Sequence, residues 1–465
     1  MSSRSGAALS LASCAVAAVA LFLGSGATAL DADPGIMAAE NASGQMRSFS
    51  TRGVIDLDNP FFQDLGTNGR RCVTCHQPAE AWTITPQGVR ARFDSTDGTD
   101  PIFTNNDGSN CEGALPATRA EQEREYSLLL ARGLIRVGLD VPARAEFVIE
   151  RVADPYTCPG ATNDVSFYRR PLPATNVRFV TGLMWDGRES KAGSTLRRDL
   201  ALQANSATRG HAASARDLTV EEANAIVDFE MTLFAAQVRD NRAGNLQTQG
   251  AHGGPQALSR QPFFVGINDP VGLNPTGAAF DPHVFTLFNA WTDLPGDGDA
   301  TSTARRTVAR GQALFNNRQF TISSVAGLNG ETFANGVTVP QSIIGTCTVC
   351  HDAPNVGNHS VTAPLDIGVS DPHVARYLPV YTVRNLATGM IVERTDLGRG
   401  MITGKWRDIG RFKGPVLRGL AARAPYFHNG AAATLEEAVD FYDTRFTIGL
   451  TVREKADLVA FLRAL

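Results

Sequence analysis

The sequence predicts a mainly α fold built as two lobes, the first of which carries a disulfide-tied insertion. Three observations predict it. A Cys-x-x-Cys-His unit occurs once in each half of the chain, as Cys72-Val73-Thr74-Cys75-His76 and as Cys347-Thr348-Val349-Cys350-His351. The C-terminal stretch reads as two capped helices with apolar residues at helical spacing. Between the two units lies an Asp/Asn/Gly-rich stretch that holds the further cysteines Cys111 and Cys158.

The bulk numbers agree with a folded protein of this size. With 465 residues, 43% of them hydrophobic and 24 of them Phe, the chain can bury two or three cores, and two is the better reading. A net charge of −4 offers no basic footprint for nucleic acid. The 44 Gly and 24 Pro predict long irregular connections.

Residues 1–29 read as a signal peptide. Arg4 supplies the positive start, an apolar run covers residues 7–23, and Ala27-Thr28-Ala29 is a small-residue cleavage site. Cleavage near Ala29 sends the mature chain to the periplasm. The competing reading is a lipoprotein box, Leu11-Ala12-Ser13-Cys14, against which the apolar run continuing past Cys14 speaks. Beyond Ala29 nothing approaches the roughly 18 apolar residues of a membrane span. Export removes Cys14 and leaves six cysteines, four of them in the two units. The remaining pair, Cys111 and Cys158, reads as a disulfide in an oxidising compartment, stabilising by roughly 2–4 kcal/mol. Two buried free thiols are the alternative.

Along the mature chain, residues 64–71 approach the first unit through Gly and Asn. Residues 87–171 read as the insertion, with one helix over 121–136. Thr219 and Glu222 form a Thr-x-x-Glu capping box that opens a helix. Residues 290–303, with Pro295-Gly296-Asp297-Gly298-Asp299 at their centre, read as the linker, followed by a helix over 304–316. Strand signals are weak, and residues 320–339 can hold a hairpin. Thr434 and Glu437 cap a helix whose Leu435, Ala438, Val439 and Tyr442 share one face. Thr451 and Glu454 repeat the signal ahead of Leu458, Phe461, Leu462 and Leu465. The expected division is residues 30–300 and 301–465.

Cys-x-x-Cys-His is the attachment pattern of a c-type haem. The two thiols form thioethers with the porphyrin, and the adjacent His reaches the iron from one side. Zinc would need a second Cys or His pair close by, and the thioredoxin reading needs a βαβ context; neither is present. Two covalently bound c-type haems are therefore expected, on Cys72, Cys75 and His76 and on Cys347, Cys350 and His351. The lobes are then cytochrome c-like haem-binding lobes, with His76 and His351 as proximal iron ligands. The sixth position decides the chemistry, because an iron with two protein ligands moves electrons and an open one binds oxidant. Residues 77–88 contain neither His nor Met, which leans towards an open first iron. The other histidines (His211, His252, His283, His359, His373 and His428) and Met184, Met231, Met390 and Met401 are the remaining ligand candidates.

Three stretches resemble the bacterial di-haem cytochrome c peroxidases and their relative MauG. They are Arg71 to Pro78, then Met184-Trp185-Asp186-Gly187-Arg188, then Phe412-Lys413-Gly414-Pro415 with Leu417-Arg418, Ala424-Pro425-Tyr426-Phe427-His428-Asn429-Gly430 and Thr434 to Val439. The resemblance implies that the haem on His351 receives electrons, that the haem on His76 meets hydrogen peroxide, and that Trp185 lies between them; a buried core tryptophan is the alternative. Counting fourteen residues on from His428 reaches Tyr442, where MauG-like members keep a tyrosine ligand and peroxidases a Met. A phenolate ligand stabilises ferric and higher iron. His428, Met401 and His359 stay open as alternatives.

The distal Glu of the family is missing at its expected offset. Gln203 is the first candidate in its place, with Asp199 and His211 as proton carriers. Calcium, bound in many relatives through backbone oxygens, would use Arg423 and Pro425 and stays open. The resemblance implies a peroxidase-like oxidoreductase. It either reduces peroxide with electrons from a small cytochrome or copper protein, or, like MauG, oxidises a partner substrate. A pure electron-transfer cytochrome, closed by His211 or another ligand, and a dioxygen-using oxygenase like the di-haem rubber oxygenases, with an apolar pocket at Leu200, are the rival readings.

Overall fold

Strands are more numerous than the sequence signals. The structure is a computed structural model that describes residues 33–158, 165–295 and 298–465. The residues read as a signal peptide and its cleavage site, Cys14 among them, lie outside the described residues, as do Gly296 and Asp297 of the expected linker. The strands are β1 (Ile36–Asn41), β2 (Gly44–Ser50), β3 (Ile135–Leu139), β4 (Phe147–Ala153), β5 (Val165–Arg169), β6 (Leu233–Asp240), β7 (Gly244–Asn245), β8 (Phe320–Ser323), β9 (Ser342–Gly345), β10 (Val380–Asn385) and β11 (Ile391–Arg394). They form four antiparallel sheets, in the orders β1-β2-β6-β7, β11-β10-β4, β3-β5 and β8-β9. With eleven α-helices beside them among the described residues, "mainly α" covers only part of the architecture.

Helix caps read from sequence are present. Thr219 and Glu222 cap Val220–Thr232 reciprocally, and Thr451 and Glu454 do the same for Val452–Arg463. Thr434 accepts from the Glu437 amide, while the Glu437 carboxylate reaches Ala433 instead. The helix expected over 304–316 starts earlier, at Ala300, because Asp299 accepts from the Ser302 amide. Other boundaries move. The single helix expected over 121–136 is two, Arg119–Glu125 and Ser127–Arg132. Gly133, at φ 60°, ends the second, and the alternating residues after it become β3. The hairpin expected within 320–339 closes later, pairing β8 with β9.

The insertion is woven into the rest of the chain. Cys111 and Cys158 are bonded, with Cα atoms 5.2 Å apart. Within this segment β4 adds to β10 from the C-terminal half, Phe147 opposite Asn385. Residues of both halves thus share a sheet, and Pro34–Leu465 clusters as one unit. Among the described residues no helix is long and apolar enough to cross a membrane.

Two cores matter for the site. Ala300–Asn317 packs on Val452–Arg463 so closely that a Cβ on Gly311 would sit 2.0 Å from the Asp457 carbonyl oxygen. Phe285, Phe315 and Phe461 fill the space beside them edge to face. The second core joins Met46 of β2 to Phe61, Trp82, Phe229 and Ala204. Each core ends against one Cys-x-x-Cys-His unit.

Candidate haem sites

Cys72–Cys75 is one helical turn. The Arg71 amide donates to the Thr74 hydroxyl at 3.0 Å, and the His76 amide donates to the Cys72 carbonyl at 3.0 Å. This turn sets both thiols and the imidazole on one cavity wall. The His76 Nδ1 lies 3.0 Å from the Trp82 carbonyl oxygen. A carbonyl only accepts, so Nδ1 carries the proton and Nε2 keeps a free lone pair, the state a metal ligand needs. Burial pushes the imidazole pKa down to about 4, which keeps the ring neutral. Trp82 is itself fixed by its Nε1 donating to Ser48 of β2 at 2.7 Å, and Phe61 flanks the imidazole at 6.0 Å.

The opposite wall of this first cavity comes from helix Leu196–Gly210. Leu200, Gln203, Ala204, Ala207 and Thr208 line it, a single stripe at helical spacing. His211, the residue that caps this helix, lines it too. The His211 Nδ1 is paired with the Asp107 carboxylate, whose other oxygen holds the buried Arg70 guanidinium. Asp199 is not in the cavity lining. Its Oδ2 accepts from the Lys191 amide at 3.2 Å and its Oδ1 is buried without a partner, so it closes a turn rather than facing the cavity.

One residue of this cavity was not anticipated from the sequence. Glu230 lines it, is 8% exposed and has an unpartnered Oε2. Burial pushes its carboxyl up to about 8, so it holds a proton at neutral pH. The available signal was a carboxyl on the apolar stripe of Ile226, Val227, Phe229 and Leu233.

The second cavity repeats the plan. Cys347–Val349 is a short turn capped by Thr346, and the His351 Nδ1 lies 2.6 Å from the Gly357 carbonyl oxygen. Burial lowers the His351 pKa. Phe315 flanks the ring at 5.8 Å, and the Tyr442 ring centroid lies 6.5 Å from it at 71°. Burial raises the Tyr442 pKa. Of the alternative ligands, His428 lines this cavity, stacked on Phe412 at 3.9 Å. Met401 and His359 do not. Met401 packs into the core of Phe147 and Tyr381, and His359 is buried against Asp352.

Trp185 lines the second cavity while its chain neighbours Leu183 and Met184 line the first. Its Nε1 donates to the Arg170 carbonyl at 2.8 Å, and its ring meets His428 edge to face at 6.1 Å. Asp186 and Asp396 clasp the buried Arg169 at 2.5 and 2.7 Å, which anchors this segment. The Arg423 carbonyl already accepts from the Arg170 guanidinium at 3.2 Å, a cation where the calcium reading needs a free oxygen.

The residues present fit a haem in each cavity. Each offers two unbridged thiols and one neutral imidazole on an otherwise largely apolar wall. Among the described residues no group of three or more His, Cys, Asp or Glu could hold a bare metal ion. The buried Arg423 Nε and Arg418 Nη2 have no partner, as expected beside an acidic cofactor edge.

Comparison with known proteins points the same way. The chain is 35% identical over 133 residues to cytochrome-c peroxidase IdrP2 of Denitromonas iodatirespirans, covering 26% of this chain and 36% of that protein. It is 30% identical over 192 residues to cytochrome-c peroxidase IdrP1 of a Pseudomonas species, covering 37% and 42%. To cytochrome c551 peroxidase of Nitrosomonas europaea it is 35% identical over 120 residues, covering 26% and 30%. Over these stretches the chain is similar to bacterial cytochrome c peroxidases. The matches span about two fifths or less of the length of these relatives. No family model matches the chain. A solved MauG-like protein associated with microbial copper homeostasis is 18% identical over 65% of this chain and 74% of its own, with a TM-score of 0.31, a likeness too loose to carry an argument. In the first cavity Gln203, His211 and Glu230 are among the polar groups of the lining.

Proposed function

We propose that this protein is a periplasmic di-haem c-type cytochrome that activates hydrogen peroxide in the cavity of His76, with electrons passing through the cavity of His351. The observation that carries the reading is the pair of cavities, each with two thiols and an imidazole whose Nδ1 is tied to a carbonyl. Held by Cys72, Cys75 and His76, a c-type haem would supply iron able to take oxidising equivalents from peroxide, and one held by Cys347, Cys350 and His351 would supply iron able to pass electrons.

The chain's own residues support a division of labour. Trp82 and Gly357 orient His76 and His351 and keep each Nε2 aimed into its cavity. Gln203 presents an amide that can hold a peroxide oxygen. His211, oriented by Asp107, can move a proton at Nε2, and Glu230 can give one from its carboxyl. Tyr442, whose ring lies 6.5 Å from that of His351 in the second cavity, would be the residue to hold the iron of a haem bound there together with His351. Trp185 connects the two cavities and is suited to pass electrons. The electron donor is a small cytochrome or copper protein, or the oxidising equivalents leave towards a partner substrate. Gln203, His211 and Glu230 on the walls of the first cavity favour peroxide over the oxygenase reading, although Leu200 lines it too.

The test is peroxide consumption by purified holoprotein supplied with a reduced small cytochrome. Turnover at least tenfold above a His76→Gly variant that keeps the second haem supports the reading. Turnover equal to that variant removes it and leaves an electron carrier.

A further inference from the structure

Four basic residues, Arg170, Lys413, Arg418 and Arg423, lie deep in the molecule where the two cavities approach each other. Lys413 and Arg423 line both cavities and have no carboxylate ion-pair partner among the described residues, whereas the Arg418 Nε donates to the Leu465 oxygen at 3.1 Å. Burial pushes Lys413 down to about 8 and Arg423 to about 10; for Lys413 the neighbouring Arg423 adds to the effect. Arg423 is half satisfied, its Nη2 donating to the Val416 carbonyl at 2.6 Å while its Nε has no partner. The Lys413 backbone is pinned by its amide donating to the Trp185 carbonyl at 2.9 Å, and its Nζ lies 5.9 Å from the Trp185 ring centroid.

An uncompensated buried cation costs several kcal/mol, and two side by side cost more. Such a pair persists when anions neutralise it, and no carboxylate of the described residues does so. Haem brings its own carboxylates, the two propionates on the ring edge away from the thioethers. We infer that Lys413 and Arg423 form one cation bridge that binds a propionate of each haem, so that a single pair of side chains holds both cofactors. Charge-assisted hydrogen bonds to carboxylates are the strong kind. The same Lys413 ammonium also lies beside the Trp185 indole. Bridge and relay are thereby one structure, and both haem potentials answer to the same charge.

The inference rests on the two-haem reading, which the haem count of the purified protein tests separately; fewer than two covalent haems would end both. With two present, resonance Raman of the propionate bending bands and potentiometry of each haem decide the bridge. In Lys413→Gln the bands of both haems move and both midpoint potentials fall. Arg423→Gln gives the same pattern. Lys413→Arg keeps the charge and suits a chain too unstable to mature without it; there the bands move and the potentials hold. Bands that stay unchanged in whichever variant matures, or that move for one haem alone, overturn the bridge.

Discussion

At the residue scale the sharpest question is Tyr442. Its ring packs against Phe441 and Phe446 as well as facing His351, so Tyr442→Phe keeps the packing and removes only the hydroxyl. Stability should change by less than about 1.5 kcal/mol, while the low-spin ferric signal of the second haem converts to high-spin. A low-spin signal that survives the substitution assigns the ligand to His428. A second residue-scale prediction concerns acid. Burial alone would raise the Asp186 pKa, but Arg169 and Arg188 outweigh it and hold the carboxyl down at about 2. Between pH about 4 and about 2 the unfolded chain binds a proton that the folded one does not. Asp186 therefore contributes about 2–3 kcal/mol that is present above pH 4 and lost as pH falls through that window. Denaturant titrations at stepped pH should show this slope, and it should flatten in Asp186→Asn. The two Cys-x-x-Cys-His turns that line the cavities are legible in the sequence because their residues are adjacent along the chain. Glu230 is not, since its burial is decided by how helix Val220–Thr232 packs against a distant unit.

At the element scale, legibility follows how local the cause is. Capping boxes at Thr219 and Thr451 announce their helices because donor and acceptor are three residues apart. Strand β2 is hidden because its inward face is Met46, Ser48 and Ser50, which breaks the apolar alternation. Strand β6 follows a helix directly, with Leu233 turning to extended geometry, and no turn residue marks the change. The insertion was recognisable by its cysteines, but its pairing with β10 lies beyond any local signal. Opening the disulfide in Cys111→Ser/Cys158→Ser should cost roughly 2–4 kcal/mol in reversible unfolding. An unchanged midpoint would mean that β4 and β5 are held by their sheets alone.

At the scale of the whole molecule the claim is that one chain builds two unequal iron sites. The first cavity has Gln203, His211 and Glu230 on its walls; the second has Tyr442 beside His351. Arg169, holding Asp186 and Asp396 in the interior, ties the segment of Trp185 to the C-terminal half, and Arg169→Met should cost about 3–5 kcal/mol. The most direct test of the central claim is ferric electron paramagnetic resonance of the holoprotein before and after one equivalent of hydrogen peroxide. The account predicts one high-spin and one low-spin signal, both depleted by peroxide. Two low-spin signals that ignore peroxide, in oxidised and half-reduced protein alike, would contradict it.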